Sequence, residues 1–176
     1  MSGHNKWSKI KNRKAVTDAR KSKIFTKMVR LLTVEAKKAK GNVDSPGLRT
    51  AIEKAKSVNV PNENIERAVK KATDASTGEM EAMTYEAYGP GGVAVIIEGL
   101  TDNRNKAAAE VKHILSKHGS ALAGIGSASW AFEKTREGWV PKTTAPISEE
   151  DFAKLEALVE ELEANDEVQE VFTNAE

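Results

Sequence analysis

Residues 85–119, YEAYGPGGVAVIIEGLTDNRNKAAAEVKHILSKHG, decide the fold. Thr84–Tyr88 and Val93–Glu98 are strand-like runs, and Gly89-Pro90-Gly91-Gly92 between them reads as a wide turn. No helix N-terminus follows these glycines directly, so they form a turn and not a phosphate cradle. After Asp102, a natural N-cap, the period changes: Ala107, Val111, Ile114 and Leu115 recur at helical spacing, and Gly119 stops the helix.

Downstream, Gly119–Ser127 (GSALAGIGS) lacks the lysine of a nucleotide-binding loop and precedes a strand, which excludes nucleotide binding. Ala128–Phe132 and Trp139–Lys142 read as two strands about a Glu133–Gly138 turn. Ser148-Glu149-Glu150-Asp151 reads as a capping box with Asp in the reciprocal position, and Phe152, Leu155, Val159 and Leu162 follow at helical spacing. A short strand, Val168–Phe172, closes the chain. From Val93 the order is strand, helix, strand, strand, helix, strand. That order predicts an α+β fold with a ferredoxin-like (split βαβ) antiparallel sheet, two helices on one face and an extra N-terminal strand around Tyr85.

Upstream, Asp74–Met83 is acidic, small and without period, so a boundary is expected between a domain over residues 1–76 and another over 77–176. Before it lie three helical patterns. Ile24, Met28, Leu31 and Leu32, beside Phe25, Val29 and Ala36, mark the first, which Gly41 ends. Ser45-Pro46 opens the second, serine as N-cap and proline at the first helical position, with Leu48, Ala51, Ile52 and Ala55 inward. Pro61-Asn62 opens the third, Asn62 as cap, with Ile65, Ala68, Val69 and Ala72 inward. The reading is a small three-helix domain.

Charge is segregated along the chain. The first forty residues hold thirteen Lys or Arg against Asp18 and Glu35, a net of +11, whereas Pro141–Glu176 holds two Lys against eleven acids, a net of −9. The whole chain is only +1. Fixed positive charge of that density fits a polyanion, because each phosphate contact releases condensed counterions. The asymmetry would orient the chain in the field of a nucleic acid; alternatively the two ends attract each other. Met1–Lys14 mixes Gly3, Asn5, Ser8 and Asn12 with its cations and reads as a flexible arm. Trp7 within it either stacks on a base or ribose or tucks against the helices.

The candidate nucleic-acid-binding residues are therefore Lys6, Trp7, Lys9, Lys11, Arg13 and Lys14 in the arm, and Arg20, Lys21, Lys23, Lys27 and Arg30 on the outer face of the first helix. Lys37–Lys40 are weaker candidates. A second contact point is Arg104 and Lys106, beside Asn103 and Asn105 in the first turn of a helix. Cations there oppose the helix dipole, which an incoming anion would relieve. Otherwise the segment is an exposed polar helix start.

Other classes find little support. There is no cysteine, so neither a disulfide framework nor a thiolate metal site can form. His113 and His118 are five apart, the wrong spacing for paired helix ligands, and with His4 they read as structural or surface residues. No metal, cofactor or small-molecule substrate is expected. No apolar run approaches the roughly twenty residues of a membrane span, and no apolar secretory segment follows the first cations, so a cytoplasmic protein is expected. No Ser/His/Asp or Cys/His constellation and no H-E-x-x-H marks an enzyme.

GHNKWSKIKNRK at residues 3–14, KIFTK at 23–27, YEAYGPGGVAVIIE at 85–98, TDNRNK at 101–106 and VQEVFTN at 168–174 resemble the YebC family over nearly the whole chain. The family includes bacterial proteins described as transcriptional regulators and a mitochondrial relative described as a translational activator of cytochrome c oxidase. The resemblance implies a helical N-terminal domain followed by two α/β domains, the third inserted in the second. Here residues 133–138 leave room only for a turn, so the inserted domain is expected to be missing. The implied function is non-enzymatic nucleic-acid binding: a DNA-binding transcriptional regulator, or alternatively a translation factor on the ribosome or its RNA. No helix–turn–helix with a base-reading face is visible, which suits an irregular RNA surface.

Overall fold

The computed structural model describes residues 18–74 and 78–176. The described residues form two compact units, a helical one up to Glu81 and an α/β one from Ala82 to Glu176.

The helical unit contains α1 (Asp18–Lys38), α2 (Pro46–Ser57) and α3 (Asn62–Ala72). Leu32, Ala36, Leu48, Ala51, Ala55, Ile65, Ala68 and Ala72 are its buried core, with Phe25, Met28, Leu31, Ile52 and Val69 packed around them. These are the residues that helical spacing selects, apart from Val29, which is exposed, and half-buried Ile24, which lies outside this core. Two of the expected caps differ. Ser45 holds the N-cap position with Pro46 after it, but its side chain makes no capping bond. Pro61 and not Asn62 caps α3, because Pro61 itself has the extended φ/ψ and Asn62 is already helical. At the far ends, Gly41 N–H reaches Ala36 O (2.9 Å) and Val60 N–H reaches Ala55 O (3.0 Å). With Lys40 and Asn59 left-handed (φ 52° and 63°), these are two Schellman endings.

The α/β unit runs β1 (Glu81–Tyr88), a 3₁₀ turn over Pro90–Gly92, β2 (Ala94–Thr101), α4 (Arg104–Lys117), β3 (Ala121–Ala123), a second 3₁₀ turn (Ser129–Ala131), β4 (Phe132–Thr135), β5 (Gly138–Pro141), α5 (Glu149–Ala164) and β6 (Val168–Thr173). The α+β class is as expected, and an antiparallel sheet carries two helices on one face. Membership of the sheet differs from a split βαβ order. The four-stranded sheet is β3-β1-β2-β6, while β4 and β5 pair only with each other. The Gly119–Ser127 segment thus supplies a strand, with Leu122 opposite Ala87, and Ala128–Phe132 is mostly a 3₁₀ turn.

The β4–β5 ribbon forms a third layer. Val95 and Ile97 of β2 pack with Val111 and Leu115 of α4, Leu155, Leu158 and Leu162 of α5 and Val168 and Val171 of β6. Ala94 and Ile96, on the opposite face of β2, pack with Ala128, Ala131, Phe132, Trp139 and Phe172. Covering on both faces explains why VAVII is a continuous apolar run. Each fully buried Val or Ile there contributes about 1.5–3 kcal/mol. At Glu98/Gly99 the β2–β6 register shifts, and Leu100 N–H bonds Glu167 O (3.0 Å) across the bulge.

Candidate nucleic-acid interface

Of the candidate residues, Lys6, Trp7, Lys9, Lys11, Arg13 and Lys14 lie outside the described residues. On α1, Lys21 and Lys23 are exposed and Arg20 and Arg30 half-buried. Lys27 departs from expectation: it is 9% exposed and not on an open outer face. It lies on the side of α1 turned away from Leu32 and Ala36, together with Val34, which is 6% exposed. The face expected to be the outer one is thus partly buried, and the exposed cations of α1 lie at its two ends.

At the C-terminal end of α1 the three helices gather further lysines. Because α2 reverses the chain and α3 reverses it again, the ends of α1 and α3 meet: a side chain added at Gly41 would touch Thr73 at 3.0 Å. Lys38, Lys40, Lys70, Lys71 and Arg49 are exposed around that end. Lys38 pairs with Glu35 (3.2 Å) and Arg49 with Asp44 (3.7 Å). Both pairs are exposed and hold their cations only weakly. Over residues 18–74 fourteen bases face seven acids, whereas over 82–176 eight bases face seventeen acids.

The TDNRNK turn is built differently from its expectation. Asn103, not Asp102, is the N-cap of α4: its carboxamide oxygen accepts from Lys106 N–H (3.1 Å). Buried Thr101 fixes this turn, accepting Asn103 N–H and donating to Asn103 O, both at 2.9 Å. Arg104 and Asn105 are exposed. Lys106 Nζ lies 3.6 Å from Glu167, whose side chain is 6% exposed, so Lys106 neutralises a buried carboxylate from within the protein. Arg104 and Lys106 do share one helix start, but Lys106 already serves the fold.

Sequence reasoning missed a second group. Glu86 of β1, only 7% exposed, accepts N–H groups from Gly126 (2.7 Å), Ala128 (2.9 Å) and Ser129 (2.6 Å). Burial works against its charge, but those backbone donors prevail and hold the carboxyl below its ordinary range. Tyr88 Oη donates to Ser127 O, and Trp130 Nε1 donates to Ser127 O (2.8 Å) and lies within reach of Tyr88 Oη (3.2 Å). Glu98 of β2 plays a parallel part for the ribbon, accepting Trp139 Nε1 (2.8 Å) and Lys134 Nζ (2.6 Å), with Lys134 4.9 Å above the Trp139 ring. The available signal was Glu98 inside the apolar run of β2; β1 (EAMTYEAY) carries two glutamates and gives no such signal for Glu86.

His118 has a structural place. Its Nε2 meets Glu161 at 2.6 Å and Lys117 meets the same carboxylate at 2.9 Å, joining α4 to α5. The hydrogen bond from His118, then that from Lys117, lower the Glu161 pKa. His113 is exposed beside a shallow depression of about 320 Å³ lined by Ala109, Glu110, Ile114 and Asn165. Among the described residues no helix is long and apolar enough to cross a membrane.

Residues 5–75 match the family model described as the TACO1/YebC protein N-terminal domain. The model described as the TACO1/YebC second and third domain matches in two pieces, residues 80–137 and 134–175, which meet at the β4–β5 turn. Proteins named "Probable transcriptional regulatory protein" from Petrotoga mobilis and Pseudothermotoga lettingae are 48% and 45% identical; the alignments cover 98% and 99% of this chain and 70% of each relative. The crystal structure of a conserved hypothetical protein, Aq1575, from Aquifex aeolicus is 32% identical, covers 90% of this chain and 91% of its own, and superposes with a TM-score of 0.78.

Proposed function

Since the chain belongs to the TACO1/YebC family, we propose that it is a non-enzymatic, nucleic-acid-binding regulator of gene expression that acts on DNA in transcription. The observation that carries this reading is the segregation of charge: a net of +11 in the first forty residues, set against an acidic α/β unit. The name shared by its relatives, "Probable transcriptional regulatory protein", supports the same class. Lys6, Lys9, Lys11, Arg13 and Lys14 with Lys21 and Lys23 provide the main phosphate contacts, and Arg104 is a subsidiary one. The family's inserted third domain, expected to be missing at residues 133–138, takes no part in this reading.

Replacing Lys9, Lys11, Arg13 and Lys14 together with alanine should weaken binding to duplex DNA and reduce its salt slope by about one unit per lost contact. Unchanged binding by a correctly folded variant would remove the arm from the interface. Crosslinking in cells followed by sequencing identifies the target: promoter DNA supports the transcriptional reading, and ribosomal RNA would replace it with a translational one.

A further inference from the structure

The end of the helical unit at which α1 and α3 finish and α2 begins forms a basic surface of its own. Lys23 and Lys38 are fifteen residues apart on α1, a rise of about 22 Å, and buried Lys27 and Val34 lie between them. The turn after α1 gathers the three helix ends: a side chain added at Gly41 would touch Thr73, and one added at Gly47 would collide with the Glu35 carboxylate. Residues 35–49 and 70–74, which form this end, hold Lys37, Lys38, Lys40, Arg49, Lys70 and Lys71 against Glu35, Asp44 and Asp74. An excess of three positive charges remains with the Lys38–Glu35 and Arg49–Asp44 pairs counted. All six bases except half-buried Lys37 are exposed.

Helix chemistry accounts for part of this charge. Lys37 and Lys38 occupy the last turn of α1 and Lys70 and Lys71 that of α3, where a cation complements the helix dipole. Two positions go against it. Arg49 stands in the first turn of α2, where no acid is present and a cation opposes the dipole. Lys40 is left-handed (φ 52°) at the residue of the α1 ending that favours glycine, whereas the matching residue of the α2 ending is Asn59, a type that tolerates this conformation. The lysine strains the backbone and gives nothing back to the core: it is exposed, and among the described residues it takes part in no ion pair. An anion from outside the fold accounts for both positions.

Of the large apolar residues at this end only Val43 is exposed, so affinity here comes from charge and not from the buried apolar centre of a protein–protein contact. A DNA duplex, with one negative charge per about 1.7 Å of axis, supplies that charge most densely. Resting on the nucleic-acid reading above, we propose that this end of the helical unit, with Lys40, Arg49 and Lys70, is a second phosphate-contacting surface for duplex DNA, separate from Lys21 and Lys23.

The test is anisotropy of the full chain with a labelled blunt duplex across a salt series, with a thermal melt of each variant. Lys40→Ala and Lys70→Ala together should weaken binding and lower the salt slope by about two units, one per lost contact. Arg136→Ala and Lys142→Ala together remove the same charge from exposed positions of the α/β unit and should leave the slope unchanged. Lys40→Gly relieves the left-handed strain, so its Tm should rise by a few degrees while its affinity falls. Asn59→Gly, the same backbone change at the α2 ending, should bind as the parent does. Parental affinity and slope in both Lys40 variants, or an equal loss in either control, overturns the proposal. Failure of the unmodified chain to bind the duplex instead overturns the nucleic-acid reading beneath it.

Discussion

Glu86 shows how a single side chain can decide the shape of a surface. Its carboxylate satisfies three backbone donors of a segment with almost no regular structure of its own. In Glu86→Gln the amide group faces an N–H that it cannot accept, which should cost about 1–3 kcal/mol and lower Tm by several degrees in a thermal melt. Because the folded carboxyl titrates below its unfolded value, its stabilisation is complete above the ordinary carboxylate pKa and is lost as pH falls through the lowered one. Urea midpoints measured between about pH 5 and pH 3 should therefore fall more steeply for the unmodified chain than for Glu86→Gln. Lys106 carries the opposite lesson. By type and position it is a phosphate ligand, yet its ammonium faces buried Glu167, and only the returning β6 segment could reveal that partner. Asn103 in place of Asp102 as the cap is a shift of one residue, within the usual uncertainty of helix boundaries.

Among the elements, helices were legible and the ribbon was not. The helix periods of α1 to α5 follow from apolar spacing within each segment, and Ser148 caps α5 through Asp151 N–H (3.1 Å) as its sequence predicts. The strands β4 and β5 are four residues each, and nothing in four residues says whether they join the main sheet. Their position depends on Phe172, whose ring lies against Gly138, and on Glu98 reaching Trp139. Gly138 has φ 128°, and a methyl group there would meet the Phe172 ring at 2.7 Å. Gly138→Ala should thus destabilise the α/β unit by about 1–3 kcal/mol and loosen the ribbon. Increased amide exchange at Trp139 and Val140, with protection of β2 retained, is the expected readout; unchanged exchange would mean that the ribbon is held without this contact.

At the scale of the whole molecule the governing quantity is the opposition between a basic helical unit and an acidic α/β unit. Like charge on α5 slows the approach of a polyanion over distances up to the Debye length, about 10 Å at 0.1 M salt. Replacing Glu150, Glu156 and Glu160 with glutamine should raise the association rate with nucleic acid at low salt, and stopped-flow traces for variant and parent should converge at high salt. Persistence of the difference at high salt would mean that α5 acts by contact and not by field. The helices and this charge segregation were readable from the chain itself, because helix periodicity, turn residues and net charge are local properties. Which strands form the sheet, which face the ribbon covers and the burial of Lys27 were decided only by tertiary structure. Each depends on residues far apart in sequence, such as Glu86 and Ser129 or Gly138 and Phe172, and no local pattern encodes the distance between them.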